Sequence, residues 1–339
     1  MTLEKPAGPG TTPAIRLLGA RRLKRVESAI RPPGEGEVIV QVRAVGLCGS
    51  DAHWYNEGGI GESGPGNGLV LGHEIAGEIA SGPRLGERVV VDPAIPCRRC
   101  ELCRAGRENL CPRVRFAGHG DTDGGLTSFL VWPERSLTPL PENLTFQQGT
   151  LLEPLGVALH AVDLVGGVTG AKVAVVGLGP IGLLLVAAIA GDAARVVATD
   201  LLAHRVEAAQ RLGATEGMVV ESDAWTDEGA FDVVFETAGS DDSANAAILA
   251  AAPGGRVALV GIPDQDRISY VASIARRKEL TLVNCRRMLA NDLVRAARLA
   301  EAGEADLNDL VTHRFPLAQA EEAFETLITR IGIKVVVEP

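Results

Sequence analysis

The feature that most restricts the fold of this chain is the 18-residue uncharged segment from Val173 to Ala190. It opens with the β-forming run VAVVG and closes with the helix-forming run IGLLLVAAIA, and Gly177, Gly179 and Gly182 lie where the runs meet. The segment is nearly long enough to cross a membrane. However, these glycines and Pro180 divide it into a short strand and a helix. We therefore predict a buried strand that turns tightly into a buried helix, and no membrane partner.

Strands and helices alternate from about Leu151 onward. The runs ARVVATD, FDVVFETAG and GGRVALVG are β-rich, and alanine-rich helical stretches separate them. This alternation is typical of an α/β fold with a doubly wound parallel sheet. The earlier part of the chain has only short β-rich runs between Gly, Pro and Glu residues, which predicts an irregular β-barrel. The helices near the end and the last strand, KVVVE, are expected to fold back onto that barrel.

The three glycines form GxGxxG, in which each glycine has a physical task. The first permits a tight turn, the second lets a pyrophosphate approach the backbone, and the third lets the helix pack closely on the strand. The helix N-terminus contributes a partial positive charge and free N–H groups. The pattern predicts a Rossmann-type dinucleotide site at Gly177, Gly179, Pro180, Ile181 and Gly182.

Asp200 ends the next predicted strand, 18 residues after Gly182. A carboxylate there can accept hydrogen bonds from the adenosine ribose and would repel the 2′-phosphate of NADP, so NAD is the expected cofactor. The alternative is that Asp200 caps the helix that follows it. Arg205 is also placed among the cofactor-binding residues, and it leaves some use of NADP open.

Four of the six cysteines fall within fifteen residues. Cys97, Cys100, Cys103 and Cys111 form CxxCxxCx7C, a spacing that lets four thiolates close tetrahedrally around one zinc ion and leaves no position for a substrate. We therefore expect a structural zinc site rather than disulfides or unrelated thiols. A zinc module that binds nucleic acid is disfavoured because the segment is only locally basic. Cys285, which lies apart, is expected to be an ordinary buried thiol.

A second set of metal-ligating side chains is dispersed along the chain: Cys48, His73, Glu74 and Glu153. Zinc accepts thiolate, imidazole and carboxylate together, and catalytic sites combine three protein ligands with an open position. His73 and Glu74 are neighbours, so both can face one ion only if the backbone turns, which Gly72 makes plausible. One glutamate is expected to be a direct ligand. The alternative is that Cys48 is a buried small residue and His73 and Glu74 belong to a structural hydrogen-bond network.

The charge of the chain restricts its partners. The formal net charge is -10 and the isoelectric point is near 5.2, which disfavours nucleic acid because phosphate binding requires a surplus of Lys and Arg. A small neutral or anionic metabolite is compatible with this charge. The first ten residues show no export signal, and a cytoplasmic location is expected. The Gly- and Pro-rich stretch from Gly58 to Gly68 is expected to be a loop that could border the active site.

Together these motifs resemble the zinc-containing medium-chain dehydrogenases, over nearly the whole chain and in the family's order. GLCGSDAHW, LGHE, the four-cysteine segment, EPLGVALHA and GLGPIG are most similar to the sorbitol, or polyol, dehydrogenase branch. The resemblance implies a GroES-like catalytic domain at 1–157 and 288–339 with a zinc lobe at about 94–112. It also implies a Rossmann NAD-binding domain at 158–287, inserted into the catalytic domain, with the active site in the cleft between the two.

That resemblance implies the chemistry as well. A catalytic zinc would lower the pKa of a secondary alcohol, hydride would pass to NAD, and Ser50 and His53 would relay the proton towards solvent. Arg287 matches an arginine that contacts substrate in polyol dehydrogenases. The next residue, commonly Tyr in that branch, is Met288 here, which counts against sorbitol itself. The family also implies a homo-oligomer, with a tetramer favoured over a dimer.

Three alternative functions stay open. Arg113 and Arg115 lie in a segment reminiscent of the L-idonate type, so a sugar acid is one alternative substrate, and L-threonine is another. A non-enzymatic nucleotide-binding relative is a remote third, because such proteins usually lack the catalytic ligands. Substrate charge separates the polyol from the sugar acid. Zinc content separates an enzyme from the non-enzymatic relative: two ions per chain, one catalytic and one structural, support an enzyme, and its expected partner is a small polyhydroxylated substrate.

Overall fold

A computed structural model of the chain describes residues 10–59, 64–66, 68–220, 228–263 and 267–339. It separates into two compact units. The first comprises Met1–Glu153, Leu289–Glu301 and Leu307–Pro339, and the second comprises Pro154–Met288 and Ala302–Asp306. Within the loop predicted from Gly58 to Gly68, positions 60–63 and 67 lie outside the described residues.

The strands follow one another along the chain with these bounds. They are β1 (Thr11–Leu17), β2 (Leu23–Ala29), β3 (Glu37–Gly46), β4 (Leu69–Val70), β5 (Glu74–Ile79), β6 (Arg88–Val91), β7 (Ala94–Ile95), β8 (Arg115–Phe116), β9 (Phe129–Pro133), β10 (Leu137–Pro139), β11 (Lys172–Val176), β12 (Arg195–Asp200), β13 (Glu216–Val219), β14 (Phe231–Glu236), β15 (Ala251–Leu259), β16 (Thr281–Asn284), β17 (Val311–Pro316) and β18 (Lys334–Glu338).

The helices are distributed over both units, and the two shortest lie in the first unit. They are α1 (Gly49–Glu57), α2 (Glu101–Arg104), α3 (Phe146–Gly149), α4 (Leu152–Leu164), α5 (Pro180–Ile189), α6 (Ala203–Arg211), α7 (Asp241–Ala250), α8 (Ala272–Arg277), α9 (Ala290–Glu301) and α10 (Ala320–Thr329), with single 3-10 turns at Glu108–Leu110, Glu134–Ser136 and Leu317–Gln319. Among the described residues, no helix combines the length and apolar composition needed to cross a bilayer.

The main sheet of the first unit has the order β10-β6-β5-β3-β18-β17, and β9 also pairs with β3. A second sheet has the order β2-β1-β4. The last strand, β18, runs antiparallel to β3 and parallel to β17, so the end of the chain returns to the first sheet. Val40, Ile75, Trp54 and Phe324 belong to its fully buried core. Each such side chain contributes about 1.5–3 kcal/mol of transfer free energy on burial.

The second unit is built on a parallel sheet of order β13-β12-β11-β14-β15-β16. The chain leaves β11 towards β12 on one side and returns to β14 on the other, so the strand order reverses at this point. Ligands of doubly wound folds bind at the carboxyl ends of the strands beside such a reversal. The strand β11 is followed by the glycines and then by α5, which is buried along nearly its whole length. The predicted α/β fold and its strand–turn–helix segment are confirmed.

Candidate metal centres and dinucleotide site

The four clustered cysteines meet in a small lobe of the first unit. Cys100 is the N-cap of α2, Cys111 follows a 3-10 turn, and the pairing of β7 with β8 closes the base of the lobe. The four sulfur atoms all lie within 4.8 Å of one another, and Cys100 Sγ is 4.0 Å from Cys111 Sγ. Zinc–sulfur bonds of about 2.3 Å place tetrahedral sulfurs about 3.8 Å apart, so this donor set fits a closed zinc site.

The charge distribution of the lobe also suits a metal–thiolate site. The backbone N–H of Arg99 and the guanidinium of Arg113, whose Nη2 is 3.4 Å from Cys97 Sγ, lower the pKa of Cys97 to about 5. Burial, together with the neighbouring sulfurs of Cys100 and Cys111, raises the pKa of Cys103 to about 12. Four adjacent thiols therefore resist complete deprotonation unless a cation is bound between them. Zinc supplies that positive charge.

Replacing Cys100 by serine tests this site. The Cys100→Ser variant is expected to lose one zinc ion per chain and to melt at a lower temperature, because metal binding contributes directly to the folding of such a lobe. Zinc content and the melting curve are measured on the same preparation. Cys285→Ser, which changes a thiol outside the lobe, serves as the matched control. Unchanged zinc content in Cys100→Ser would contradict the assignment.

The second metal-ligating set forms around the start of α1. Cys48 Sγ, a ring nitrogen of His73 and a carboxylate oxygen of Glu74 lie within 4.8 Å of one another, and His73 and Glu74 are buried. Gly72, with φ +91°, provides the turn that lets these two neighbours face the same point. A Cβ at Gly72 would approach Val45 Cγ1 to 2.6 Å, so both conformation and space favour glycine. Thiolate, imidazole and carboxylate together fit zinc.

Asp51, on the first turn of α1, orients these ligands. Its buried carboxylate accepts hydrogen bonds from the backbone N–H groups of Cys48 (2.9 Å) and Gly72 (3.2 Å), and it lies 3.6 Å from His73 Nδ1. Although burial alone would lower the pKa of His73, the charge and hydrogen bond of Asp51 raise it well above its usual range. A carboxylate on Nδ1 fixes the ring and directs Nε2 towards a metal.

A buried ion pair stands beside the same centre. Lys334 Nζ lies 2.7 Å and 2.6 Å from the two carboxylate oxygens of Glu74, and it donates to the carbonyl of Leu47 at 3.2 Å. Both side chains are 1% exposed. A Cβ at Gly46 would collide with the Glu74 carboxylate, so this glycine makes room for the pair. Lys334 therefore balances the charge of Glu74 next to Cys48.

Glu153 lies on the first turn of α4 and is also buried, but it is not within the 4.8 Å set. Burial raises the pKa of Glu153 to about 7, with His73 and Lys334 acting in the lowering direction and Glu74 in the raising direction. These electrostatic contacts place Glu153 in the neighbourhood of the centre. The structure thus brings Cys48, His73 and Glu74 into direct proximity and leaves Glu153 farther out.

Ser50 and His53 lie on α1, three residues apart and so on one face of the helix. Both are half-buried. His53 Nδ1 is 3.9 Å from Glu57 Oε1, and the Glu57 side chain is 56% exposed. Polar side chains therefore follow one another along α1 from Ser50, two residues after Cys48, to the exposed Glu57.

The glycine-rich loop of the second unit has the conformation that the pattern predicts. Gly177 has φ +92°, Gly179 is the N-cap of α5, and Pro180 is its first residue. A Cβ at Gly182 would collide with the carbonyl of Gly177, whereas a Cβ at Gly179 would meet nothing within 4 Å. The second glycine thus faces open space, and the N–H groups of the first helical turn, including that of Ile181, have no partners within the helix.

Asp200 ends β12, and its carboxylate connects the glycine-rich loop to the turn that follows β12. One oxygen accepts from the N–H of Leu178 at 2.6 Å, and the other accepts from the N–H of Leu202 at 2.9 Å. Arg205 Nη1 is 3.9 Å from the carboxylate. The N-cap of α6 is Leu202 and makes no side-chain cap, so Asp200 is not its capping residue. The carboxylate is therefore already oriented by backbone donors.

Arg287 belongs to the second unit and has a left-handed backbone conformation, with φ +57°. It is half-buried, whereas Arg286 is exposed, and Met288 is buried. Cys285 lies one residue after β16 and is half-buried, whereas a buried thiol was predicted. The N–H of Cys285 still donates to the carbonyl of Leu259 at 2.9 Å, and its sulfur lies 3.9 Å from the carbonyl of Arg287.

Comparison with known proteins places this geometry in a family. Residues 34–142 match the model of the alcohol dehydrogenase GroES-like domain, and residues 180–302 match that of the zinc-binding dehydrogenases. Sorbitol dehydrogenase of Bacillus subtilis is 35% identical over 303 residues, covering 85% of this chain and 86% of that protein. The chain belongs to the zinc-containing medium-chain dehydrogenases, in the sorbitol-dehydrogenase-like branch. The predicted family is confirmed.

Two other relatives support the same family assignment. D-xylulose reductase of Saccharomyces cerevisiae is 38% identical over 309 residues, covering 85% of this chain and 86% of that protein. The crystal structure of L-idonate 5-dehydrogenase from Escherichia coli has a TM-score of 0.89 at 27% identity, covering 97% of this chain and 98% of that one. The dehydrogenase is thus an enzyme of alcohol oxidation with a GroES-like and a Rossmann-like part.

Two further structures concern the cofactor. An alcohol dehydrogenase of Escherichia coli was crystallised with NADH (TM-score 0.84, 25% identity, 97% of this chain and 100% of that one). A zinc-binding dehydrogenase of Sinorhizobium meliloti was crystallised with NADP (TM-score 0.86, 30% identity, 97% and 99%). The dehydrogenase accordingly uses zinc and a nicotinamide dinucleotide, as predicted.

Two residues of the candidate catalytic centre were missed by sequence reasoning. Asp51 was passed over because a carboxylate on a first helical turn usually serves as a cap. Lys334 was passed over because it lies 260 residues from Glu74. A signal did exist, since a single lysine interrupts an apolar run in the sequence IGIKVVV and has no obvious route to solvent.

Proposed function

We propose that this dehydrogenase oxidises a secondary alcohol of a polyol or sugar-like substrate to the ketone, reversibly and with NAD as hydride acceptor. The convergence of Cys48, His73 and Glu74 within 4.8 Å is the observation that carries this proposal. The similarity to sorbitol dehydrogenase and D-xylulose reductase supports the substrate class.

Cys48, His73 and Glu74 would hold the catalytic zinc, since they provide three donors of the types that zinc accepts. When bound, zinc polarises the substrate hydroxyl and lowers its pKa. The distances favour Glu74 over Glu153 as the carboxylate ligand, and Lys334 keeps the net charge of the centre low. Glu153 is proposed as a second carboxyl group near the centre, which interacts electrostatically with His73 and Glu74 without binding zinc directly.

The proton released by the substrate hydroxyl is proposed to move to solvent along the side chains of α1. The hydroxyl of Ser50 would accept the substrate proton and His53 would pass it on, as a general base one helical turn away. Glu57, 3.9 Å from His53 Nδ1 and exposed, connects this path to solvent. Each of these side chains is on the helix that has Cys48 at its N-cap, so the helix fixes their positions relative to the metal centre.

The dinucleotide is proposed to bind at Gly177, Gly179, Pro180, Ile181 and Gly182, with Asp200 towards the adenosine ribose. Asp200 disfavours the 2′-phosphate of NADP by charge repulsion. Arg205 reduces that repulsion because its guanidinium is 3.9 Å from the carboxylate. We expect a preference for NAD by about tenfold or more in kcat/KM. Initial rates with NAD and NADP at matched concentrations measure it, and a clear preference for NADP would contradict it.

Arg287 is proposed to bind the substrate, because a guanidinium can hydrogen-bond several hydroxyls or a carboxylate. A carboxylate would make the substrate a sugar acid, and the structural similarity to L-idonate 5-dehydrogenase favours that second candidate. L-threonine is a further alternative, and a non-enzymatic relative is a remote one.

A substrate panel followed by NADH absorbance tests the function. It contains sorbitol, xylitol, L-idonate and L-threonine, with zinc content determined on the same enzyme. Oxidation of a neutral polyol with the highest kcat/KM is the expected result. A preference for L-idonate would move the assignment to the second candidate, and no turnover with any of them at full zinc content would favour the non-enzymatic alternative.

Assembly, location and domain limits are also proposals. We place the catalytic domain at 1–157 and 288–339 and the Rossmann domain at 158–287. A cytoplasmic homo-tetramer is proposed, with the edge strand β16 as one candidate pairing surface, since it is hydrogen-bonded to β15 at one side of the sheet. Light scattering of the purified enzyme measures the assembly.

A further inference from the structure

The turn that follows β14 packs against the glycine-rich loop of the second unit. Thr237 Oγ1 donates to the carbonyl of Gly177 at 2.6 Å, and its backbone N–H donates to the carbonyl of Val176 at 2.9 Å. β14 and β11 are neighbours in the parallel sheet, so both segments leave its carboxyl edge side by side. Thr237 is thus hydrogen-bonded through both its backbone and its side chain to the point where β11 becomes the loop.

The first and third glycines of the GxGxxG motif lie close to the Thr237 side chain. A Cβ at Gly177 would come within 2.9 Å of the Ala238 N and Cβ atoms and within 3.1 Å of Thr237 Oγ1. A Cβ at Gly182 would come within 2.9 Å of the same hydroxyl. The first and third glycines therefore leave space for the Thr237–Ala238 turn, whereas Gly179 faces open space.

A buried carboxyl holds the turn from the opposite side. Glu236, fully buried, accepts hydrogen bonds through Oε1 from the N–H groups of Ala238 and Gly239 and from the hydroxyl of Ser243, all at 2.7 Å. The carbonyl of Glu236 also accepts from Gly261 N–H, after β15. Three such bonds on one buried oxygen restrict the turn, and the position of Thr237 is fixed as a consequence.

We propose that Thr237 is a positioning residue for the dinucleotide: its hydroxyl fixes the carbonyl of Gly177, so that the N–H groups of the glycine-rich loop are preorganised for the pyrophosphate. Nothing in this role requires Thr237 to touch the cofactor. The inference rests on the proposed function, in which the loop binds NAD. Preorganisation of donors raises affinity because less ordering remains to occur on binding.

The Thr237→Val variant tests the proposal, because valine has the shape of threonine without its hydroxyl. The dissociation constant for NADH, measured by fluorescence titration, and the KM for NAD are expected to rise about tenfold, the effect of one hydrogen bond. The kcat and the zinc content should stay near those of the wild type, and the melting temperature without cofactor should fall by no more than about 2–4 °C, the effect of one hydrogen bond. A merely structural role would lower the melting temperature and leave NADH affinity unchanged.

Three further variants complete the experiment. Thr237→Ser retains the hydroxyl and should bind NADH like the wild type, and Thr329→Val removes a hydroxyl from an exposed helix end in the first unit as the matched control. If Thr237→Val does not fold, Thr237→Ala is compared with Thr237→Ser instead. An NADH affinity within about twofold of the wild type in the folded hydroxyl-free variant overturns the proposal.

Gly179→Ala separates this inference from the proposed function. With φ −64° and no atom near its Cβ position, Gly179 accepts alanine without strain, yet the new methyl group would obstruct a pyrophosphate. Weak NADH binding in Gly179→Ala with normal binding in Thr237→Val overturns only the role of Thr237. Normal NADH binding in Gly179→Ala removes the loop as the dinucleotide site and overturns both.

Discussion

His73→Ala is expected to lose one of two zinc ions per chain and about a thousandfold or more in kcat/KM. The ring supplies the nitrogen donor of the Cys48–His73–Glu74 centre, and the metal contributes several kcal/mol to the chemical step. The zinc content is determined by mass spectrometry of the dialysed protein. Activity is measured with the best substrate of the panel. Dinucleotide binding should be unaffected, because the predicted loop belongs to the second unit.

His313→Ala is the matched control, since that imidazole lies on β17 and contacts Thr312. Asp51→Asn should give an intermediate result, with metal affinity or activity lower by about 10- to 100-fold, because it loses the carboxylate that orients His73. A His73→Ala protein that retains both zinc ions and full activity would show that the catalytic centre lies elsewhere.

With the Cys48–His73–Glu74 centre free of zinc, Lys334→Met is expected to lower the free energy of unfolding of the first unit by about 3–5 kcal/mol, because it leaves the buried Glu74 carboxylate without a cation. The first unit can be followed selectively. Trp54 and Trp132 are buried within it, and the third tryptophan is removed by using a Trp225→Phe background. Urea denaturation is followed by tryptophan emission in protein whose Cys48–His73–Glu74 centre has been freed of zinc, and it measures this change in the free energy of unfolding.

The double variant Glu74→Gln with Lys334→Met removes both charges and is expected to recover a large part of the stability. Arg31→Met, which breaks the exposed pair with Glu37, is the control and should cost about 1 kcal/mol or less. Equal urea midpoints for Lys334→Met and Arg31→Met would mean that the buried pair contributes no more than a surface pair.

Local patterns were sufficient for much of this molecule. The four cysteines of the lobe and the glycines of the loop each lie within a few residues of one another, so their spacing alone constrained the geometry. Gly72 likewise explained in advance how His73 and Glu74 could face one point, and its φ of +91° agrees with that reasoning.

Contacts between distant segments were harder to predict. Lys334 is recognisable only as a lysine in an apolar run, and nothing in that run indicates which carboxylate it meets. Asp200 was expected to present a carboxylate to the ribose, but sequence gave no sign that Leu178 N–H already binds it at 2.6 Å. Thr237 follows a predicted strand without any motif of its own. In each case the partner is determined by how strands pair, which no short window of sequence contains.

The pairing of Glu74 with Lys334 also has a consequence for biosynthesis. At about 5–20 residues per second, the ribosome needs roughly 15–50 s to add the 260 residues that separate the two. During that interval the nascent first unit has β3 and β5 but neither the cation nor the strand β18 that completes the sheet. We therefore expect the metal centre to mature late, with Glu74 kept hydrated until Lys334 has emerged.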